Sequence, residues 1–380
     1  MPQITIMTST GGGFTTFRWL CTVFGLLFYL GDIVSDLVLS VQYFRGGHAT
    51  WAALTLLFVL VGSVCIQIFS YAWFKDDKEN DEVVDKGLST CHLIGIHVLQ
   101  IGIFTRYYHL LKKSFKTLRS GKTQEVEQLH LFALATDLSM LRMFETFLES
   151  VPQLVLQVYI ILEHNHRSNL QYISMAVSFV NIAWATVDYR RCLRRSLTHI
   201  NEMPCGIPTA VYLFYKIFTI TPRILCLTLF IMLSPFSTLA MALIWLVGTT
   251  WAFVEKTDFC ISPVLEHLYR AIVGVILVFT FFNIKGVNTR VPMTVYYIVS
   301  VCQNLAAPIL LYLLKPESEG TDYFLPILFF ILITNSLGLG LLALYYNLLH
   351  PPGYVADEVD GIERLKQEKK STRLDRFLQM

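Results

Sequence analysis

Ten apolar stretches follow one another along this chain, each about long enough to cross a lipid bilayer. They cover roughly residues 14–44, 50–74, 88–111, 127–163, 168–188, 210–233, 236–255, 266–285, 292–314 and 323–349. A spanning helix needs about 20 apolar residues. In hydrocarbon a segment must satisfy its own backbone N–H and C=O groups, which leaves helices or closed barrels. The runs are continuous rather than alternating at period two, which argues against a barrel. The expected fold is an all-α polytopic membrane protein. Composition agrees, with 54% hydrophobic residues and 15% charged among 380. A soluble chain carries about 25% charged residues. An ordinary cytosolic enzyme and a nucleic-acid reader are excluded, as is disorder outside the termini.

Polar breaks organise the stretches. Lys75–Lys86 is a mixed-charge run, and Lys112–Lys122 and Arg190–Arg195 are basic. Cationic loops stay on the cytosolic side. A shift of 117 residues lays Asp36–Val41 on Gln153–Val158 and Asp32 on Glu149. The same shift lays 50–74 on 168–188 and 88–111 near 210–233. This reads as a pseudo-symmetric repeat in the N-terminal part, and such repeats place a working site between them. If 88–111 and 210–233 dip in without crossing, about eight spanning helices and two inserted, non-spanning ones remain. Both termini are then cytosolic; ten plain crossings would give the same parity. Segments 14–44 and 127–163 exceed one membrane thickness, and Gly31 and Pro152 are the natural break points. The expected divisions are a cytosolic N-terminus at 1–13, membrane repeats at 14–111 and 112–233, C-terminal membrane helices at 234–349 and a cytosolic tail at 350–380.

Ionisable residues sit inside these stretches. Asp32 and Asp36 are four apart and share a helix face. Asp137, Arg142, Glu145 and Glu149 crowd one segment, and Arg106 and Asp188 lie in two others. A charge at mid-bilayer costs about 2.5–3.5 kcal/mol even on the lenient insertion scale. Such residues persist when they pair, face water or are used. A polar track between the repeats and a structural ion-pair network both fit. The expected pairs are Arg142 with Glu145 or Asp32, and Arg106 with Asp36 or Asp137.

Other features read more plainly. His164 and His166 belong to a short surface loop, and no metal site is expected. Trp51, Tyr71 and Trp73 fit an interfacial aromatic belt. Pro222-Arg223 suits a kink, and Glu266 with Arg270 an i,i+4 salt bridge. The eight cysteines form no C-x-x-C pair. No cleavable signal peptide and no glycosylation sequon are read. Phosphate-cradling loops, H-E-x-x-H, nucleophile elbows and EF-hand loops are missing from the sequence. The chain is therefore read as no enzyme, with no cofactor and no nucleic-acid partner.

The tail carries a protease pattern. Asp357-Glu358-Val359-Asp360 before Gly361 is the preferred substrate of executioner caspases, flanked by Pro351, Pro352 and Gly353. Residues 361–380 carry a net charge of +3, with Leu374, Phe377 and Leu378 at helical spacing. A basic amphipathic helix there would dock on the cytosolic face or on anionic lipid. Cutting at Asp360 would release it, making it an autoinhibitory segment.

Four stretches carry a family resemblance: ATDLSMLRMFETFLESVPQLVLQVYIILEH (135–164), ATVDYRRCLRRSL (185–197), LYRAIVGVILVFTFFNIKG (268–286) and YYNLLHPPGYVADEVDG (345–361). The chain resembles the XK-related family of phospholipid scramblases along nearly its whole length, and its caspase-activated branch most. The resemblance implies ATP-independent movement of phospholipids between plasma-membrane leaflets, including phosphatidylserine, phosphatidylcholine and phosphatidylethanolamine. It implies exposure of phosphatidylserine as an engulfment signal in apoptosis, after cleavage by an executioner caspase. It implies that the family's buried charges match Asp32, Asp36, Arg106, Asp137, Arg142, Glu145, Glu149 and Asp188. Related members use a basigin-like single-span partner for surface delivery, a need left open for this branch. Two other classes stay open. A secondary transporter or channel would pass a solute and give Asp360 no role. A non-transporting scaffold of a lipid-transfer complex would be inactive when purified.

Overall fold

The computed structural model describes residues 14–79, 89–120, 125–196, 203, 206–234, 236–257, 259–260, 262–283, 290–315 and 323–349. Within them the chain is helical, as expected from the apolar runs. The elements are α1 (Thr16–Arg45), α2 (Ala49–Glu79), α3 (Thr90–Val98), α4 (Gly102–Ser120), α5 (Glu125–Leu148), α6 (Ser150–His164), α7 (Asn169–Ser196), α8 (Ile207–Leu233), α9 (Ser237–Val254), α10 (Pro263–Phe279), α11 (Arg290–Leu314) and α12 (Phe324–Leu344). A π turn, Tyr345–Leu349, closes the last helix.

Among the described residues, seven helices are long and apolar enough to cross a membrane: α1, α2, α7, α8, α9, α11 and α12 with its π turn. Segment 88–111 is interrupted, as a non-spanning segment requires. It forms α3 and α4, with Gln100 at φ 63° between them. Its proposed counterpart differs. Segment 210–233 lies in one unbroken helix, α8, of 27 residues. At about 1.5 Å per residue it reaches about 40 Å, more than the hydrocarbon thickness. Pro222 sits inside α8 without ending it.

The break points also differ from expectation. α1 runs through Gly31 without interruption. The long segment 127–163 does break, but at Glu149 rather than Pro152; Glu149 has φ −117° and ψ −73°. Pro152 follows as the third residue of α6, where a missing N–H costs no helical bond. The basic run at 112 is helical: α4 buries Arg106, Tyr107, Leu110, Ser114 and Thr117 and exposes Lys112, Lys116 and Arg119. Arg190–Arg195 likewise belongs to α7 rather than to a loop.

The main core joins α2, α4, α5, α7 and α10 through residues such as Phe69, Phe144, Phe147, Tyr189, Tyr269 and Ile276. Trp73, expected in an interfacial belt, is buried at its centre against Phe69, Phe144 and Phe259. α1 packs on α2, α4 and α7, while α6 packs on α2, α7 and α8. At the far side, Asn304 of α11 donates to Asn335 of α12 over 3.1 Å. Such interhelical bonds are worth about 0.6 kcal/mol, at most about 1.7. Asn304→Ala is therefore expected to lower stability by about 1 kcal/mol, read from melting of detergent-purified protein. A loss several times larger would mean that the pair does more than join two helices.

Candidate functional site

α1 carries opposite characters on opposite faces. Phe24, Leu27, Val34, Leu37, Val38 and Val41 are exposed, whereas Asp32, Asp36 and Ser40 are buried. The helical period puts the three polar residues in one stripe. Asp32 and Asp36 face α7, which supplies donors at matching intervals, while Ser40 donates to the Ala52 carbonyl of α2 at 3.1 Å. Ser178 donates to Asp32 Oδ1 at 2.6 Å, and Asn181 donates to Asp32 Oδ2 at 2.8 Å. Ser174 donates to Asp36 Oδ1 at 2.8 Å. Ser150, at the start of α6, adds a bond to Asp32 Oδ2 at 2.5 Å.

The break between α5 and α6 brings further charges to this point. Arg142 is ion-paired with Glu145, which is fully buried, and donates to Asn181 Oδ1 at 2.7 Å. Its guanidinium lies 4.2 Å from the ring centre of Tyr29. Glu149 is 1% exposed. Gly62 of α2 makes room for it: a Cβ there would stand 2.9 Å from Glu149 Cβ and Oε2. Any larger residue at 62 would drive α2 off the carboxylate.

α6 continues the polar stripe. Gln153 donates to Thr55 of α2, and Gln157 donates to Ser174 of α7. Residues 149, 153 and 157 are the positions that a shift of 117 relates to 32, 36 and 40. All six side chains are buried. The resulting column has a lopsided chemistry. Four carboxylates stand beside one guanidinium. Asp36 Oδ2, Glu145 Oε1, Glu149 Oε1, Gln153 Oε1, Gln157 Oε1 and Gln171 Oε1 are buried with no hydrogen-bond donor among the described residues. Unmet buried acceptors are costly. A column of them suits an incoming ammonium group or water rather than an anion.

The remaining sequence candidates lie apart from this column. Arg106 bonds Ser70 Oγ at 3.0 Å and the Ser70 carbonyl at 3.1 Å, and reaches Asp137 at 3.6 Å and Asp77 at 4.0 Å. Arg106 and Asp137 thus tie α4 to α5 and α2 as a second, separate network. Asp36 is not the Arg106 partner. Asp77, assigned to a polar break, is in fact part of α2. Asp188 lines a cavity that also reaches Arg142. Glu266 and Arg270 pair at 3.4 Å, as their spacing indicates. His164 and His166 pack beside Trp51, with ring centres 5.1 and 5.6 Å away. Asp357–Gly361 lie outside the described residues.

Sequence reasoning missed the neutral donors, Ser150, Ser174, Ser178 and Asn181. For the three on α7 the signal is a polar stripe at i, i+4 and i+7 within the apolar part of that helix. Small polar residues occur so widely that this stripe stands out only once its partner carboxylates are known.

Known proteins share this arrangement of sequence. The XK-related protein family matches residues 20–351. XK-related protein 9 of Tetraodon nigroviridis is 47% identical, over 96% of this chain and 99% of that protein. XK-related protein 8 of the same fish is 31% identical, over 88% of this chain and 84% of the relative. XK-related protein 8 of Pan troglodytes is also 31% identical, over 90% and 87%. With that coverage and a buried polar column inside a helical membrane bundle, the chain belongs to the XK-related family.

Proposed function

We propose that this protein is a caspase-activated, ATP-independent phospholipid scramblase of the plasma membrane, with both termini in the cytosol. In apoptosis it exposes phosphatidylserine as an engulfment signal. The observation that carries this reading is the acceptor-rich column buried behind lipid-facing α1. A phospholipid head group cannot enter hydrocarbon without large desolvation costs. Carboxylates and glutamine carbonyls offer its ammonium a substitute for water, and Arg142 offers its phosphate a charge-assisted bond. Acyl tails stay in lipid along the apolar outer face of α1. Lipids move down their gradient, so no nucleotide site is required.

The switch in this reading is the tail. Cutting after Asp360 removes the basic segment 361–380 and frees an active packing. The proposal leaves open a basigin-like single-span partner for surface delivery, and co-purification from cells decides it.

Purified full-length protein in liposomes with labelled lipids tests the reading. Caspase-3 treatment is expected to start lipid exchange between leaflets, and Asp360→Ala is expected to prevent it. Glu149→Gln keeps the side-chain shape and is expected to slow exchange at least about tenfold, the loss of one charge-assisted contact. Cleavage without exchange would favour a scaffold. Ion or solute flux without lipid exchange would favour a channel. Normal exchange by a folded Glu149→Gln protein would remove the column from the mechanism.

A further inference from the structure

The outer face of α4 is open, and its chemistry is sorted. Tyr108, Lys112, Phe115, Lys116 and Arg119 are all exposed. At 3.6 residues per turn, positions 108, 112, 115 and 119 stand within about 60° of one another. Lys116 stands beside them. Ile101, exposed just before the helix begins, lies on the same line.

The character of this stripe changes along its length. It starts apolar at Ile101, turns aromatic at Tyr108 and ends with Phe115 set among Lys112, Lys116 and Arg119. From 101 to 119 the rise is about 27 Å. A helix leaving hydrocarbon meets the same order, since aromatic rings settle at the interface and long cationic side chains reach the head groups. The aromatic level is reinforced from α1. Trp19 lies 6.1 Å from Phe115 between ring centres, and its Nε1 donates to the Leu111 carbonyl at 3.4 Å.

The three cations are available to an outside partner. Lys112 lies 5.2 Å from the ring centre of Tyr108. Among the described residues, none of Lys112, Lys116 and Arg119 is paired with a carboxylate. The acids that meet α4 do so on its inner side: Asp77 and Asp137 reach Arg106, and Glu127 accepts from Thr117. A soluble helix gains nothing by showing Tyr108 and Phe115, which are 58% and 55% exposed, beside such a cluster. Together they suit a surface that is apolar below and anionic above.

We propose that the outer face of α4 is a docking surface for the anionic, phosphatidylserine-bearing leaflet of the membrane. Lys112, Lys116 and Arg119 meet its head groups from outside the bundle, and Tyr108 and Phe115 seat in the interface beneath. No lipid crosses here. The contact anchors the helix whose inner face carries the Arg106 network. That the leaflet is the cytosolic one rests on the topology proposed above; the charge and exposure of the face do not.

Brominated lipids, which quench tryptophan on contact, test this with full-length protein in nanodiscs. Both leaflets are then accessible, so the result does not depend on topology. The difference in quenching between the parent and Trp19→Phe isolates the signal beside Phe115. At equal mole fraction, brominated phosphatidylserine is expected to be favoured there about fivefold over brominated phosphatidylcholine, the contribution of one cation near a charged surface. High salt is expected to erase the preference. The triple variant Lys112→Gln, Lys116→Gln, Arg119→Gln changes only exposed positions and is expected to fold and to lose it. Brominated phosphatidylglycerol, anionic with another head group, is expected to match phosphatidylserine.

Equal quenching by phosphatidylserine and phosphatidylcholine would overturn the proposal, as would a preference unchanged in the triple variant. A preference for phosphatidylserine but not phosphatidylglycerol would mean a head-group pocket and overturn the surface. A preference seen only after caspase-3 treatment would give the face to the acidic part of the tail in the intact chain, again overturning it. A protein that shows the preference yet moves no lipid in liposomes would sink the transport reading and leave this surface standing.

Discussion

Replacing Glu145 with leucine is expected to cost about 3–5 kcal/mol of stability, the cost of stranding a buried charge. Arg142 is 5% exposed, and Glu145 supplies the carboxylate that it pairs with. Asn181 Oδ1, the Tyr29 ring and the more distant Asp32 carboxylate remain in Glu145→Leu, but Glu145 supplies the direct ion pair that is lost. The double variant Arg142→Met, Glu145→Leu removes both charges and is expected to regain most of the loss, since apolar substitutes for a buried pair are often neutral. Unfolding of the full-length protein in detergent, followed by tryptophan fluorescence, measures both. If Glu145→Leu alone unfolds like its parent, Glu145 is not the counter-charge of Arg142. If the double variant is no better than the single, the loss lies in packing rather than charge.

Gly338→Leu is expected to be strongly damaging, although it lies outside the polar column. A Cβ at 338 would stand 2.8 Å from the Phe218 carbonyl oxygen and 3.0 Å from its carbon. Those are backbone atoms of α8, so no side-chain rotation can clear them. Membrane helices approach closely through small residues, with packing as the main attraction between them. Overpacking costs about 1–3 kcal/mol where the surroundings can adjust. Here α12 must move away from α8, so the upper end or beyond is expected. Gly340 is the internal control: a Cβ there meets nothing within 4 Å, and Gly340→Leu should melt like the parent. Equal effects at 338 and 340 would show that leucine harms α12 itself rather than the contact.

The sequence carried some parts of this molecule openly. Continuous apolar runs announce helices because lipid forbids any other open backbone. Asp32, Asp36, Arg142, Glu145 and Glu149 stood out because a charge in such a run needs a reason. Arg142 with Glu145 and Arg106 with Asp137 were each one of two options weighed. What stayed hidden was mostly a matter of three dimensions. Asp77 was grouped with a charged break because nothing in the sequence says that α2 continues to residue 79. Trp73 reads as a belt residue from its place near a segment end, yet the core closes over it. Pro152 is the conspicuous helix breaker, but a proline in a first turn is well accommodated. The break falls instead at Glu149, an ordinary helix former by propensity. The tail residues 357–361 remain a reading of sequence alone.

The placement of α1 has a geometric consequence. Its outer stripe, from Phe17 through Val41, meets lipid, while Asp32 and Asp36 stand on the stripe behind it. A helix with its side chains is about 10–12 Å across. Hydrocarbon and carboxylate are therefore separated by a partition one helix thick, bearing on α2, α4 and α7. A sideways displacement or rotation of that single helix would merge the two compartments, with the rest of the bundle left in place. Ser150, Ser174, Ser178 and Asn181, which bond the two aspartates, are the side chains that fasten this one helix to the polar column behind it.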